Sequence, residues 1–130
     1  LQNFGSNLQF SAYAIGIALR NEGTQVLDIK TEEKIVNKLA QTIRTGNLTN
    51  EELTSCLLAL GWICDQRQFA GKFSTTTIHN ALDTIKYIDD YYPVLTAMHC
   101  NKARDLAVKM INGDILSEDE EAFLLTKLEM

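Results

Sequence analysis

Apolar residues recur every three or four positions along most of the chain, which is the spacing of one face of an α-helix. One such stripe contains Leu53, Cys56, Leu57, Leu60 and Ile63. The nearest approach to the period-two spacing of a β-strand covers residues 25–29, a segment too short and isolated to build a sheet. The pattern therefore predicts an all-α fold.

Glycines follow the apolar stripes, where a residue past a helix end can take positive φ at little cost, and hydroxyl residues precede the next stripe, where they can cap a helix. The glycines are Gly23, Gly46, Gly71 and Gly113, and the hydroxyl residues are Thr31, Thr49, Ser74 and Ser117. Pro93 suits a first helical turn. We expect about six helices in antiparallel hairpins, forming a small helical-repeat stack or an irregular bundle. The predicted helices are 7–22, 31–45, 49–67, 75–91, 93–112 and 117–129.

One phrase occurs twice: TGNLTNEEL begins at Thr45 and NGDILSEDEEAF begins at Asn112. Both contain an S/T-x-x-E capping box, formed by Thr49 with Glu52 and by Ser117 with Glu120. The spacing permits a duplication relating 31–67 to 93–130, or two unrelated hairpins that share the same helix signals. Both explanations stay open, and both predict that the two turns are architectural.

The composition is that of one soluble domain spanning residues 1–130, with 45% hydrophobic and 22% charged residues. A net charge of −5 argues against nucleic acid as a partner. The apolar run at 12–19 is far shorter than the roughly 20 residues of a membrane span, so we expect no membrane association. The three cysteines are an odd number, and we interpret them as buried free thiols in a reducing cytoplasm.

The stretch LTSCLLALGWICDQR, residues 53–67, resembles the inner helix of a HEAT or armadillo repeat. A leucine-rich stripe passes through a middle of small residues, at Ala59 and Gly61. The resemblance implies a scaffold that presents a curved surface to a protein partner and has no chemistry of its own.

No metal-binding, phosphate-binding or catalytic signature occurs in the sequence. We therefore expect no metal, no cofactor and no catalytic residue. The alternative function is a small α-helical enzyme or ligand-binding bundle, with a pocket between helices. Such a pocket would gather the side chains of Tyr13, Cys64, His79, Tyr91 and His99.

Several residues are candidates for binding a protein partner. Lys30, Lys34 and Lys38 recur every four positions and form either a basic stripe for an acidic partner or an ordinary solvated helix face. Trp62 is either an exposed anchor or part of the core. The remaining candidates are Tyr91 and Tyr92, which follow the acidic pair Asp89–Asp90.

These observations favour a non-catalytic protein-interaction or regulatory scaffold module. A third class is a helix-turn-helix nucleic-acid binder that uses the turn at Gly46 and the helix from Thr49. Its recognition helix would begin with Glu51 and Glu52 and reach no basic residue before Arg67, which would leave phosphate contacts poor.

Overall fold

The structure is a computed structural model that describes residues 28–45 and 47–128. Within these ranges the chain is α-helical and contains no strand, which confirms the all-α prediction. The predicted helix 7–22, the side chain of Tyr13 and the turn residue Gly46 lie outside the described residues. The helices are α1 (Ile29–Thr45), α2 (Asn50–Ile63), α3 (Gln66–Phe69), α4 (Thr75–Lys86), α5 (Val94–His99), α6 (Asn101–Asn112) and α7 (Glu118–Leu128), with a 3-10 turn at Ile88–Asp90.

Both predicted capping boxes are present. The Glu52 N–H donates to Thr49 Oγ1 at 3.3 Å, and the Glu52 carboxylate accepts from the Thr49 N–H at 2.8 Å. Ser117 and Glu120 repeat this exchange at 3.2 and 2.8 Å. Each box gives two N–H groups at a helix start a partner that the helix itself cannot supply. The two matching phrases of the sequence thus form two matching helix starts.

The other two predicted caps have different outcomes. Ser74 Oγ accepts from the Thr77 N–H at 3.3 Å, as expected. At the first described helix, by contrast, the Asp28 carboxylate accepts from the Thr31 N–H at 2.7 Å. Helix α1 therefore begins at Ile29, and Thr31 lies inside its first turn. An aspartate is as good a cap as a threonine, and the earlier of the two starts the helix.

Three predicted helices are interrupted. The predicted helix 49–67 ends at Ile63, and Asp65 caps the short α3 by accepting from the Arg67 N–H at 3.0 Å. The predicted helix 75–91 ends at Lys86 and continues as the 3-10 turn. The predicted helix 93–112 breaks at Cys100, whose N–H bonds to the Ala97 carbonyl at 3.1 Å. The apolar spacing continues from Ile85 to Ile88, so it does not reveal the helix end at Lys86.

Helix α2 is the centre of the core. Every residue from Ser55 to Ile63 is buried, including the glycine at position 61. The backbone at Gly61 approaches α6 so closely that a Cβ there would lie 3.0 Å from the Ala107 Cα. Helix α1 packs on α2 and α4, and α4 packs in turn on α6. A single glycine thus sets the separation of the two central helices.

A polar seam joins α1 to α4. The Glu33 carboxylate accepts from the Ser74 N–H at 2.8 Å, and the Asn80 amide donates to Asn37 Oδ1 at 2.8 Å. Further along, the Arg44 guanidinium donates to Asn80 Oδ1 at 3.0 Å. Because the contacts advance in the same direction on both helices, α1 and α4 run parallel and are fixed in register.

Candidate functional site

Helix α5 presents an exposed apolar surface. The side chains of Tyr91, Val94, Leu95 and Met98 are 41%, 72%, 67% and 60% exposed, and we call this set the α5 patch. Val94, Leu95 and Met98 follow the three- and four-residue spacing that brings side chains to one side of a helix, and Tyr91 precedes the helix. The three helical side chains therefore form one surface feature.

Two buried residues attach the α5 patch to the core. The Tyr92 hydroxyl donates to the Ile43 carbonyl at 2.7 Å, and burial raises the pKa of this phenol. On the other side, the Cys100 thiol accepts from Thr54 Oγ1 at 3.5 Å and donates to the Asn50 carbonyl at 3.6 Å. Tyr92 was a predicted partner-binding residue, but it is 6% exposed, and its role in the structure is to anchor the chain before α5.

Acidic side chains precede the patch. Asp89 lies 3.3 Å from the Arg104 guanidinium, which also donates to the Lys86 carbonyl at 2.6 Å. Asp90 is exposed and has no ion pair with any residue in the described part of the chain. One edge of the α5 patch is therefore negatively charged.

The predicted lysine stripe lies on the exposed side of α1. Lys30, Lys34 and Lys38 are all exposed, and the opposite face of the helix is buried in the core. Acidic groups accompany the stripe. The pKa of Asp28 is lowered first by its hydrogen bond from the Thr31 N–H and further by Lys34 and Lys30. The stripe is thus a mixed-charge solvated face as much as a basic one.

The prediction of Trp62 as an exposed anchor is wrong in this structure, because its side chain is 0% exposed. Helix α2 is enclosed by α1 and α6, so a large side chain at position 62 fills the core. The alternative interpretation of Trp62, as a core residue, therefore holds.

A groove of about 570 Å³ lies between α4 and α6, and one residue of α7 closes part of it. Because Arg104, near the start of α6, bonds the carbonyl of Lys86, at the end of α4, the two helices run antiparallel. The apolar part of the lining is formed by Leu82 and Val108. The remaining lining residues are polar or charged: His79, Asp83, Lys86, Arg104, Asp105, Lys109, Asn112 and Glu120.

An ion pair crosses the end of the groove nearest α7. The Lys109 ammonium lies 2.7 Å from Glu120 Oε2. This hydrogen bond is the main reason why the pKa of Lys109 is raised and that of Glu120 is lowered. Since Glu120 also belongs to the capping box of α7, one carboxylate holds both the helix start and the groove wall.

The structure does not bring together the described members of the predicted enzyme pocket. His79 lines the groove, whereas Tyr91 and His99 are exposed residues that do not line it. Cys64 is fully buried, and burial raises the pKa of its thiol to about 12. Such a thiol is protonated at neutral pH and is a poor nucleophile.

Within residues 28–45 and 47–128, no three His, Cys, Asp or Glu side chains are grouped closely enough to hold a metal ion. The described helices also include none with the length and apolar character needed to cross a bilayer.

The sequence analysis did not predict the exposure of Leu95 and Met98, because both fit an apolar stripe along the single predicted helix 93–112. A signal was present in the spacing. After Met98 the next member of that stripe is Ala103, five positions later, whereas a continuous helix face requires three or four. This shift in phase marks the break at Cys100 and separates the buried α6 stripe from the α5 patch.

Comparisons of the chain with protein-family models, with curated protein sequences and with solved structures give no match.

Proposed function

We propose that this protein is a non-catalytic interaction module and that the α5 patch binds a partner protein. The observation that supports the proposal is the exposure of Val94, Leu95 and Met98 on one short helix. Single exposed apolar residues are common on soluble proteins, but a contiguous group on one element is typical of a binding surface.

The free energy available from covering the α5 patch suits a transient interface. Complete burial of a Val, Leu or Met side chain contributes about 1.5–3 kcal/mol. Since the three helical side chains are 72%, 67% and 60% exposed, covering them would contribute roughly 3–6 kcal/mol in total. Association entropy opposes part of this gain, so further contacts at the rim must contribute to the affinity.

The charges at the edge of the α5 patch indicate the chemistry of the partner surface. Asp90 and Asp89 precede the patch, and the chain has a net charge of −5. A complementary partner surface is therefore apolar at its centre and carries Lys or Arg at its edge. The lysine stripe of α1 is a less favourable docking surface, because Asp28 and Glu33 lie beside its lysines.

Two features of the sequence accord with a scaffold. The resemblance of 53–67 to a HEAT or armadillo helix implies a protein that works by presenting a surface. The buried thiols Cys56, Cys64 and Cys100 fit a reducing cytoplasm, which we propose as the site of action.

The test compares the wild type with the double variant L95D/M98D. The matched control is I115D, because Ile115 is 92% exposed but lies in the loop between α6 and α7. Proteins retained from a cell extract identify candidates, and calorimetry with each purified candidate then measures binding. Circular dichroism verifies that all three proteins have the same helix content.

The proposal predicts a purified partner that binds the wild type and I115D with equal affinity and binds L95D/M98D at least about tenfold more weakly. Added salt should release this partner from the wild type. Equal binding by all three proteins would refute the role of the patch. Sedimentation of the protein alone provides a second criterion. If the wild type is a dimer and L95D/M98D is a monomer, the patch joins two copies of this chain. The proposal of a different partner protein would then be rejected.

A further inference from the structure

The groove between α4 and α6 has the properties of a small-molecule site. Its volume of about 570 Å³ falls within the range of roughly 300–1,000 Å³ that is typical of ligand pockets. Leu82 and Val108 supply an apolar surface from opposite helices, and both side chains are partly exposed. A bound molecule with an apolar body could cover them.

Most of the cationic groups in the groove are engaged by other residues. The Arg104 guanidinium bonds to Asp89 and to the Lys86 carbonyl, and the Lys109 ammonium bonds to Glu120. The Lys86 ammonium lies 5.8 Å from the ring centroid of Tyr87, a residue that does not line the groove. Arg104 and Lys109 are therefore neutralised by carboxylates, whereas Lys86 has no ion pair within the described residues.

The two remaining carboxylates face the groove from opposite walls. Asp83 belongs to α4 and Asp105 to α6, and both are exposed. Across the described residues, neither carboxylate takes part in an ion pair within 4.0 Å, although Asp105 contributes to the raised pKa of Lys109 from a greater distance. Because the two unpaired aspartates outnumber Lys86, the one lining cation without an ion pair among the described residues, the charge left for a ligand is negative.

We propose that this groove binds a small organic amine with an apolar body. The ammonium group would lie between Asp83 and Asp105, and the apolar body would cover Leu82 and Val108. An organic carboxylate fits less well, because two unpaired aspartates against one unpaired lysine, Lys86, leave the groove with a net negative charge. The site is separate from the α5 patch, so either proposal can fail without the other.

The experiment uses three probes that share a phenyl ring and a short alkyl chain: phenethylamine, phenethyl alcohol and hydrocinnamate. Each is titrated into the protein, and binding is followed by the chemical shifts of the backbone amides of α4 and α6. The expected order of affinity is amine, then alcohol, then carboxylate, with the amine about tenfold or more tighter than the carboxylate.

Variants locate the binding. D83N and D105N should each weaken phenethylamine binding severalfold and should leave the alcohol unchanged, whereas D90N removes a charge outside the groove and should change neither. V108W fills the apolar lining and should abolish binding of both probes. If V108W fails to fold, the aspartate variants still decide the matter, because their changes lie on the exposed surface.

Three results would overturn the proposal: no saturable shift with phenethylamine, equal affinity for amine and carboxylate, or equal effects of D83N, D105N and D90N. A selective loss of amine binding in D83N and D105N would support it.

Discussion

Replacing Gly61 with alanine should destabilise the protein, because the central helices α2 and α6 meet at this position. The added Cβ would lie 2.5 Å from the Met110 Cε, 3.0 Å from the Ala107 Cα and 3.3 Å from the Ala107 Cβ. The methionine methyl can rotate away. The Ala107 backbone cannot, so α2 and α6 must separate by a few tenths of an ångström.

The magnitude results from two opposing terms. Adding a methyl group to a packed core costs typically about 1–3 kcal/mol. Alanine favours the helix over glycine by about 1 kcal/mol. The expected net loss in the free energy of unfolding is therefore about 1 kcal/mol, with an upper value of about 2 kcal/mol. For a chain of this size, 1 kcal/mol corresponds to a decrease in Tm of about 4 °C.

Urea denaturation of G61A, followed by circular dichroism, measures the loss. A double-mutant cycle with M110A identifies its origin. If the Ala107 backbone is the main obstacle, G61A should cost nearly as much in the M110A background as in the wild type. If Met110 is the obstacle, the cost should vanish there. A G61A protein as stable as the wild type would refute the close approach of α2 and α6.

Three further predictions concern caps, thiols and acid. T49A and S117A should each reduce the free energy of unfolding by about 0.5–2 kcal/mol, measured by urea denaturation, and a fully stable variant would contradict the capping boxes. The three cysteines are buried, and burial raises the pKa of Cys56 and Cys64 to about 12. Ellman's reagent at pH 8 should therefore react with them slowly until urea is added. The hydrogen bond from the Ser74 N–H lowers the pKa of Glu33 below 4.5, so its contribution to stability is present above that pH and is lost as the pH falls. Thermal melts should show a shallower acid loss for E33Q than for the wild type, and parallel curves would disprove this contribution.

The sequence predicted those features of the fold that depend on neighbouring residues. A capping box is complete within four positions, so Thr49 with Glu52 and Ser117 with Glu120 could be recognised from the chain alone. The positive φ of Gly113, at 78°, follows from the end of an apolar stripe in the same way. Local signals therefore predicted the helix starts at Asn50, Thr75 and Glu118, but not the helix ends at Ile63, Lys86 and His99.

The features that the sequence did not predict depend on contacts between distant residues. The Tyr92 hydroxyl reaches the carbonyl of Ile43, 49 positions earlier, and this contact accompanies the turn between α4 and α5. Apolar spacing also cannot distinguish a buried stripe from an exposed one. Leu95 and Met98 belong to the apolar spacing of the predicted helix 93–112, yet both are exposed, whereas Trp62, for which an exposed anchor and a core residue were both considered, is buried. The groove charges became interpretable only once the partners of Arg104 and Lys109 were known.

Helix α5 is six residues long, and of its side chains only Ala97 is buried. So short a helix gains little stability from its own hydrogen bonds, and we expect it to open locally at a lower free energy than the rest of the bundle. The affinity measured for any partner of the α5 patch is then the intrinsic affinity multiplied by the fraction of molecules in which the helix is formed. Substitutions that raise this fraction would tighten binding without touching the partner. The fraction of molecules in which this short helix is formed would then control the affinity for a partner, in addition to the side chains that the helix exposes.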